Sequence, residues 1–248
     1  MATPPRPRRR VVMFTVGGAL AVVVAVFLLV YFVIFPTSSP TPFSLTSSST
    51  VAGTGSASAA AAGGKQAVAL TGTWRVGSGS QAGYRVREKL AFLPAQSDAV
   101  GRTAQITGGA SFSHSGGSVT ITAASFDVAV DTLTSDRSMR DEKIHEIGLE
   151  SSRYPTATFV LGRPVTVPAG VLEGKAARVA VAGTFDIHGT SKQETLPVEM
   201  LLAGSTFEAV GSLTFPWSEF GMTAPSVGGF VNVTEHATME FDLHLQRV

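Results

Sequence analysis

The residues best suited to chemistry are few, and their spacing does not serve it. The five histidines, His114, His145, His188, His236 and His244, show no metal-ligand spacing. His145-Glu146 opens the zinc pattern H-E-x-x-H, but Leu149 stands where the second imidazole belongs. Gly77, Gly79 and Ala82 imitate the dinucleotide fingerprint G-x-G-x-x-A, yet the residues that follow alternate as a strand and open no helix. No G-x-S-x-G turn presents a serine nucleophile, and the absence of cysteine removes thiol catalysis, disulfides and a lipidated cysteine together. Asn232-Val233-Thr234 fits the glycosylation sequon, a short pattern that recurs by chance. The expectation is a protein that is not an enzyme, with no catalytic residues, no metal and no cofactor.

The elements that would position any site read as β-strands. Beyond residue 70 apolar residues recur with period two, as they do where one strand face is buried. Ala82, Tyr84 and Val86 form one run; Val179, Val181, Phe185 and Ile187 another; then Leu196, Val198, Met200 and Leu202, and Phe207, Ala209, Leu213 and Phe215. Met239, Phe241, Leu243 and Leu245 alternate most cleanly, against Glu240, Asp242, His244 and Gln246. Between Val119 and Val130 the phase switches from Val119, Ile121 and Ala123 to Phe126, Val128 and Val130, so a β-bulge is expected near Ala123 and Ala124. Turns are expected at Ser115-Gly116-Gly117, His188-Gly189-Thr190 and Ala203-Gly204-Ser205.

One segment lacks alternation. Ser135 to Leu149 pairs Asp136 with Arg140, and Arg137 with Asp141, at helical i,i+4 spacing, and Ser138 to Asp141 has the form of a capping box. A short helix across one end of a barrel or sandwich follows. Its charges read first as a solvated face; the sharper reading is a charged lid, carried by Arg137 and Arg140.

The fold class expected is all-β, an antiparallel barrel with one short helix. An eight-stranded barrel is just wide enough to hold one ligand. Tyr84, Phe112, Phe126, Phe159, Phe185, Phe207 and Phe241 fall in the apolar phase of their strands. With Val86, Ile121, Val128 and Met200 they are the candidate lining of an interior that would select an apolar ligand.

Composition supplies the setting. The chain has 248 residues, 15% of them charged, with net charge +1. Four of its 19 basic residues, Arg6, Arg8, Arg9 and Arg10, precede the first apolar stretch, leaving 15 against 18 acidic residues beyond residue 35. Such a balance argues against nucleic acid, whose phosphates need clustered Lys and Arg. From Val11 to Phe35 no charge occurs. A helix of that length spans roughly 37 Å, more than the ~30 Å hydrocarbon core, so a single transmembrane helix is expected there. The arginines of residues 1–10 place the N-terminus in the cytoplasm and the remainder outside. Residues 36–70 are dominated by Pro, Ser, Thr, Gly and Ala and read as a flexible tether, with a mean reach of roughly 30 to 35 Å. Residues 71–248 form the folded domain. Arg exceeds Lys and Ala, Gly and Val abound, which points to a GC-rich bacterial source.

Several segments together resemble the YceI-like family over about residues 72–247. They are Trp74, Phe126 to Asp136 (FDVAVDTLTSD), Met139 to Ile144 (MRDEKI), Arg153 to Phe159 (RYPTATF), Val181 to Lys192 (VAGTFDIHGTSK) and Phe220 to Met222 (FGM). Where the family has an Arg shortly before FGM, this chain has Trp217-Ser218-Glu219. The resemblance implies a lipocalin-like barrel that binds a long-chain polyisoprenoid lipid. The function expected is therefore a membrane-anchored, extracytoplasmic lipid-binding protein. The alternatives are a structural or stress-related envelope domain without lipid and, less favoured, an enzyme acting on an isoprenoid or quinone.

Overall fold

A computed structural model describes residues 39–45, 70–90, 96–227 and 231–248. The expected transmembrane helix and residues 36–38 and 46–69 of the tether lie outside these. Among the described residues no helix is long and apolar enough to cross a membrane.

Among the described residues twelve strands form one antiparallel sheet: β1 (Gly72–Val76), β2 (Gln81–Leu90), β3 (Gln96–Thr103), β4 (Ile106–Ser115), β5 (Ser118–Ala129), β6 (Thr156–Leu161), β7 (Val165–Val167), β8 (Ala177–Ile187), β9 (Thr190–Ala203), β10 (Thr206–Pro216), β11 (Ser226–Val227) and β12 (Val231–Arg247). Eight of them close a ring in the order β1-β4-β5-β6-β8-β9-β10-β12 and back to β1. The seam is short. β1 meets β12 through Trp74↔Arg247, Arg75↔Gln246 and Val76↔Leu245. Further along, β12 pairs instead with β2, which carries β3, and Arg102 bridges to Thr134.

The sequence periodicity explains these strands. Leu196, Val198, Met200 and Leu202 on β9, and Phe207, Ala209, Leu213 and Phe215 on β10, are all buried, while their odd-phase neighbours Pro197 and Glu199 are not. Three of the hairpins turn where expected. Ser115 pairs with Ser118, Ile187 with Thr190 and Ala203 with Thr206. His188 (φ 55°) and Gly189 (φ 67°) both take the left-handed conformation that a two-residue hairpin of matching twist requires.

The bulge is present one residue earlier than expected. Ser111 pairs with Ala123 and Phe112 with Ile121, so Thr122 is the extra residue, and its hydroxyl donates to Ser111 O at 3.2 Å. This shift turns Phe126 and Val128 to the same interior as Val119 and Ile121.

The helical segment differs from expectation in detail. Helix α1 covers Ser138–Lys143 and continues as a wider π turn over Ile144–Gly148. No capping box forms: Arg137 is the N-cap, and the Asp141 carboxylate accepts the Ser135 N–H at 2.8 Å. Arg137 lies by Asp136 (3.7 Å) in place of the expected Asp141. A second short helix, α2, spans Ala169–Leu172 and buries Val171 and Leu172.

On the outer wall a carboxylate is buried against the polar phase. Glu240 is only 4% exposed and accepts hydrogen bonds from Arg85 (3.2 and 3.4 Å) and Arg102 (3.2 and 2.8 Å). Spare N–H groups of the same guanidiniums reach Pro40 O (2.8 Å) and Thr41 O (2.6 Å), and Arg102 lies 3.8 Å from the centre of the Phe43 ring. Part of the expected free tether is thus held on the wall. The reason is physical: an arginine has five donors, and a carboxylate uses only some of them.

Candidate functional site

The ring encloses an apolar chamber. Its free volume is about 120 Å³. Thr158 is the single polar side chain among those lining it. Nine of the eleven candidate residues line this chamber: Phe112, Ile121, Phe126, Val128, Phe159, Phe185, Met200, Phe207 and Phe241. Phe126, Phe159 and Phe185 sit on adjacent strands in register and form an aromatic run, with centroids 6.5 and 4.8 Å apart. Phe112 packs edge-on against Phe207 at 5.0 Å.

A second apolar chamber, of about 110 Å³, lies toward α1. Leu133, before the helical segment, and Ile144 and Leu149 within it wall one side; Phe215, Trp217 and Met222 wall it from the region around FGM. Trp217 is fixed there by its indole N–H, which donates to Thr234 O at 2.9 Å. Val128, Ala157, Ile187 and Met239 belong to both chambers, so these four side chains form the junction. Tyr84 lines the second chamber and not the first. Val86 lines neither; it is buried in the core beside them.

Above the second chamber a charged pair ties α1 to the barrel. Glu88 continues the interior phase of Ala82, Tyr84 and Val86, and Arg140 grips it with two hydrogen bonds of 3.0 Å. Arg140 also contacts Asp136 and is 14% exposed, so its charge is not on a solvated face. Burial alone would lower the pKa of this guanidinium, but Glu88 and then Asp136 raise it on balance. Asp136, Glu142 and Glu146 are the solvated charges of the segment.

The sequence reading missed the glycines of the inner wall. A Cβ on Gly101 would lie 2.3 Å from the Tyr84 ring, on Gly183 2.2 Å from Phe159, and on Gly211 2.6 Å from Phe241. Each aromatic ring therefore lies down over a bare stretch of neighbouring strand and leaves the lumen open. The available signal was a glycine inside a strand pattern, which marks close approach of another group.

A family model for the YceI-like domain matches residues 76–245. The chain belongs to the YceI-like family. Among solved structures, a polyisoprenoid binding domain from Saccharophagus degradans implicated in plant cell wall breakdown is similar at 14% identity and a TM-score of 0.52, covering 72% of this chain and 99% of that one. A Campylobacter jejuni YCEI protein is similar at 14% identity and a TM-score of 0.50, covering 64% and 91% respectively. At such identity the likeness concerns the fold. Comparison with curated proteins returned no match.

Proposed function

We propose that this YceI-like domain holds a polyisoprenoid-type lipid in its two chambers, and that the chain is anchored in the cell membrane with the barrel outside. The observation that carries the lipid reading is the first chamber, whose lining is apolar apart from Thr158. Support comes from the Saccharophagus degradans relative, a polyisoprenoid binding domain of the same fold. The anchor rests on the uncharged stretch Val11 to Phe35 behind four arginines.

The energetics favour exchange over capture. Burying a methylene from water gains roughly 0.8 kcal/mol, but a tail leaving a bilayer trades one apolar environment for another. What remains is packing against the lining and contact at the polar end. A barrel of this kind suits a carrier or reservoir beside the membrane.

The test is native mass spectrometry of the full chain extracted from its membrane, with organic extraction of what it retains. A retained isoprenoid is expected; a chain that emerges empty refutes the reading. A reporter fused after Val248 is expected to read extracytoplasmic, and a cytoplasmic reading ends the proposed topology.

A further inference from the structure

Residues 40–43 meet the barrel in a contact that a free tether would not make. Arg85 donates to Pro40 O at 2.8 Å, Arg102 donates to Thr41 O at 2.6 Å, and the Arg102 guanidinium lies 3.8 Å from the centre of the Phe43 ring. The two sides match in chemistry. The wall offers N–H groups of Arg85 and Arg102 beyond those that Glu240 uses, while Pro40 and Pro42 have carbonyls and no N–H, so this arm brings acceptors to a surface of donors. Proline also fixes φ, so less backbone freedom is lost when the arm settles on the wall.

The contact changes which residues connect the barrel to the uncharged stretch that ends at Phe35. Residues 36–70 used in full span at most about 120 Å, with a mean reach of roughly 30 to 35 Å. With Pro40 on the wall, the five steps from Phe35 to Pro40 span at most about 18 Å. Residues 44–69 then join two points of the same barrel and set no distance from Phe35. Pro40, Thr41 and Pro42 are exposed and Phe43 is half-buried, so water competes for every bond the arm makes. The arm is thus able to leave while Glu240 keeps its four hydrogen bonds from Arg85 and Arg102 and the wall stays whole.

We propose that residues 40–43 are a clasp that sets the working length of the tether: closed on Arg85 and Arg102, it keeps its point of attachment on the barrel within about 18 Å of Phe35, and opened, it releases residues 36–70 as the longer tether. The proposal rests on the anchor reading and adds to it two states, one that confines exchange to the membrane from which the chain emerges and one that lets the barrel reach further out.

The experiment reads the height of the barrel by energy transfer in the full chain, reconstituted in phosphatidylcholine nanodiscs that carry an acceptor lipid. Because the chain has no cysteine, Ser205→Cys in an exposed hairpin turn takes the donor alone. The open state is made by Pro40→Gly, Thr41→Ser, Pro42→Gly and Phe43→Ser together, which removes the ring and the prolines and leaves every wall residue in place. A Gly-Ser insert of about 40 residues after Ser58 should leave the transfer of the closed chain unchanged, whereas in the open variant it should lengthen the mean reach about 1.5-fold and lower the transfer. The same insert after Ser38 should lower the transfer in both chains. An insert after Ser58 that acts equally on both chains overturns the clasp and leaves the anchor reading standing. A chain that alkaline carbonate strips from its membranes has no anchor, and that result overturns both.

Discussion

Replacing Glu240 by Ala isolates the energetics of the outer wall. The carboxylate is 4% exposed and receives four hydrogen bonds from two guanidiniums that are 13% and 23% exposed. Removing one partner of a buried charge pair costs about 3–5 kcal/mol. Here the cost is smaller, because Arg85 keeps Asp98 at 3.3 Å and both arginines are partly wet, so about 2–3 kcal/mol is expected. In a domain of this size that lowers the melting temperature by roughly 5–10 °C. Urea denaturation should show a lower midpoint with an unchanged slope. Chymotryptic cleavage after Phe43 should quicken in the same variant, because the donors that hold Pro40 O and Thr41 O are oriented by Glu240. Replacing Glu240, Arg85 and Arg102 together with Leu should recover most of the lost stability while leaving residues 40–43 open to cleavage. A loss below about 1 kcal/mol for Glu240→Ala, or unchanged cleavage after Phe43, refutes this account of the wall.

Gly183→Ala should push Phe159 into the lumen, lowering stability by about 1–3 kcal/mol in denaturant melts and reducing the lipid that co-purifies. Ala157→Phe places a ring at the junction of the two chambers; mass spectrometry of extracted lipid should show shorter chains than in wild type. The phenol of Tyr84 ionises above its unfolded value near 10, so the folded state holds that proton more tightly. Stability from this source is complete below pH 10 and is lost as the pH climbs beyond it. Alkaline titration of stability should therefore fall less steeply in Tyr84→Phe than in wild type, and identical curves would remove the buried phenol from the explanation.

What the sequence made legible was whatever alternation encodes. Strand phase follows from a wall with one apolar and one polar face, and the same phase brought Phe112, Phe126, Phe185 and Phe207 to one chamber. The bulge was visible as a phase change, but two neighbouring alanines and Thr122 fit either side of it equally well, which explains the one-residue error. Buried charges were not legible. Glu88 sits in the interior phase and depends on an arginine 52 residues away, while Glu240 sits in the outer phase and is buried only because Arg85, Arg102 and residues 40–43 cover it. Helical i,i+4 spacing suggested Arg137 with Asp141, but spacing cannot tell that Asp141 is better used on the Ser135 N–H. The division of the interior into two chambers, with Tyr84 apart from the phenylalanines, depends on how rings lie over distant glycines and has no one-dimensional signature.

The seam between β1 and β12 sets an order for biosynthesis. β1 is among the first strands translated and β12 the last, yet each needs the other to close the ring. Pairings between such distant parts of a chain form slowly. Until Arg247 is made, the nascent sheet keeps two open edges and its greasy concave face stays exposed, so neither a lumen nor a cargo can exist before translation of the domain ends. Chaperone attention during synthesis, and sensitivity to loss of the final few residues, follow from that delay.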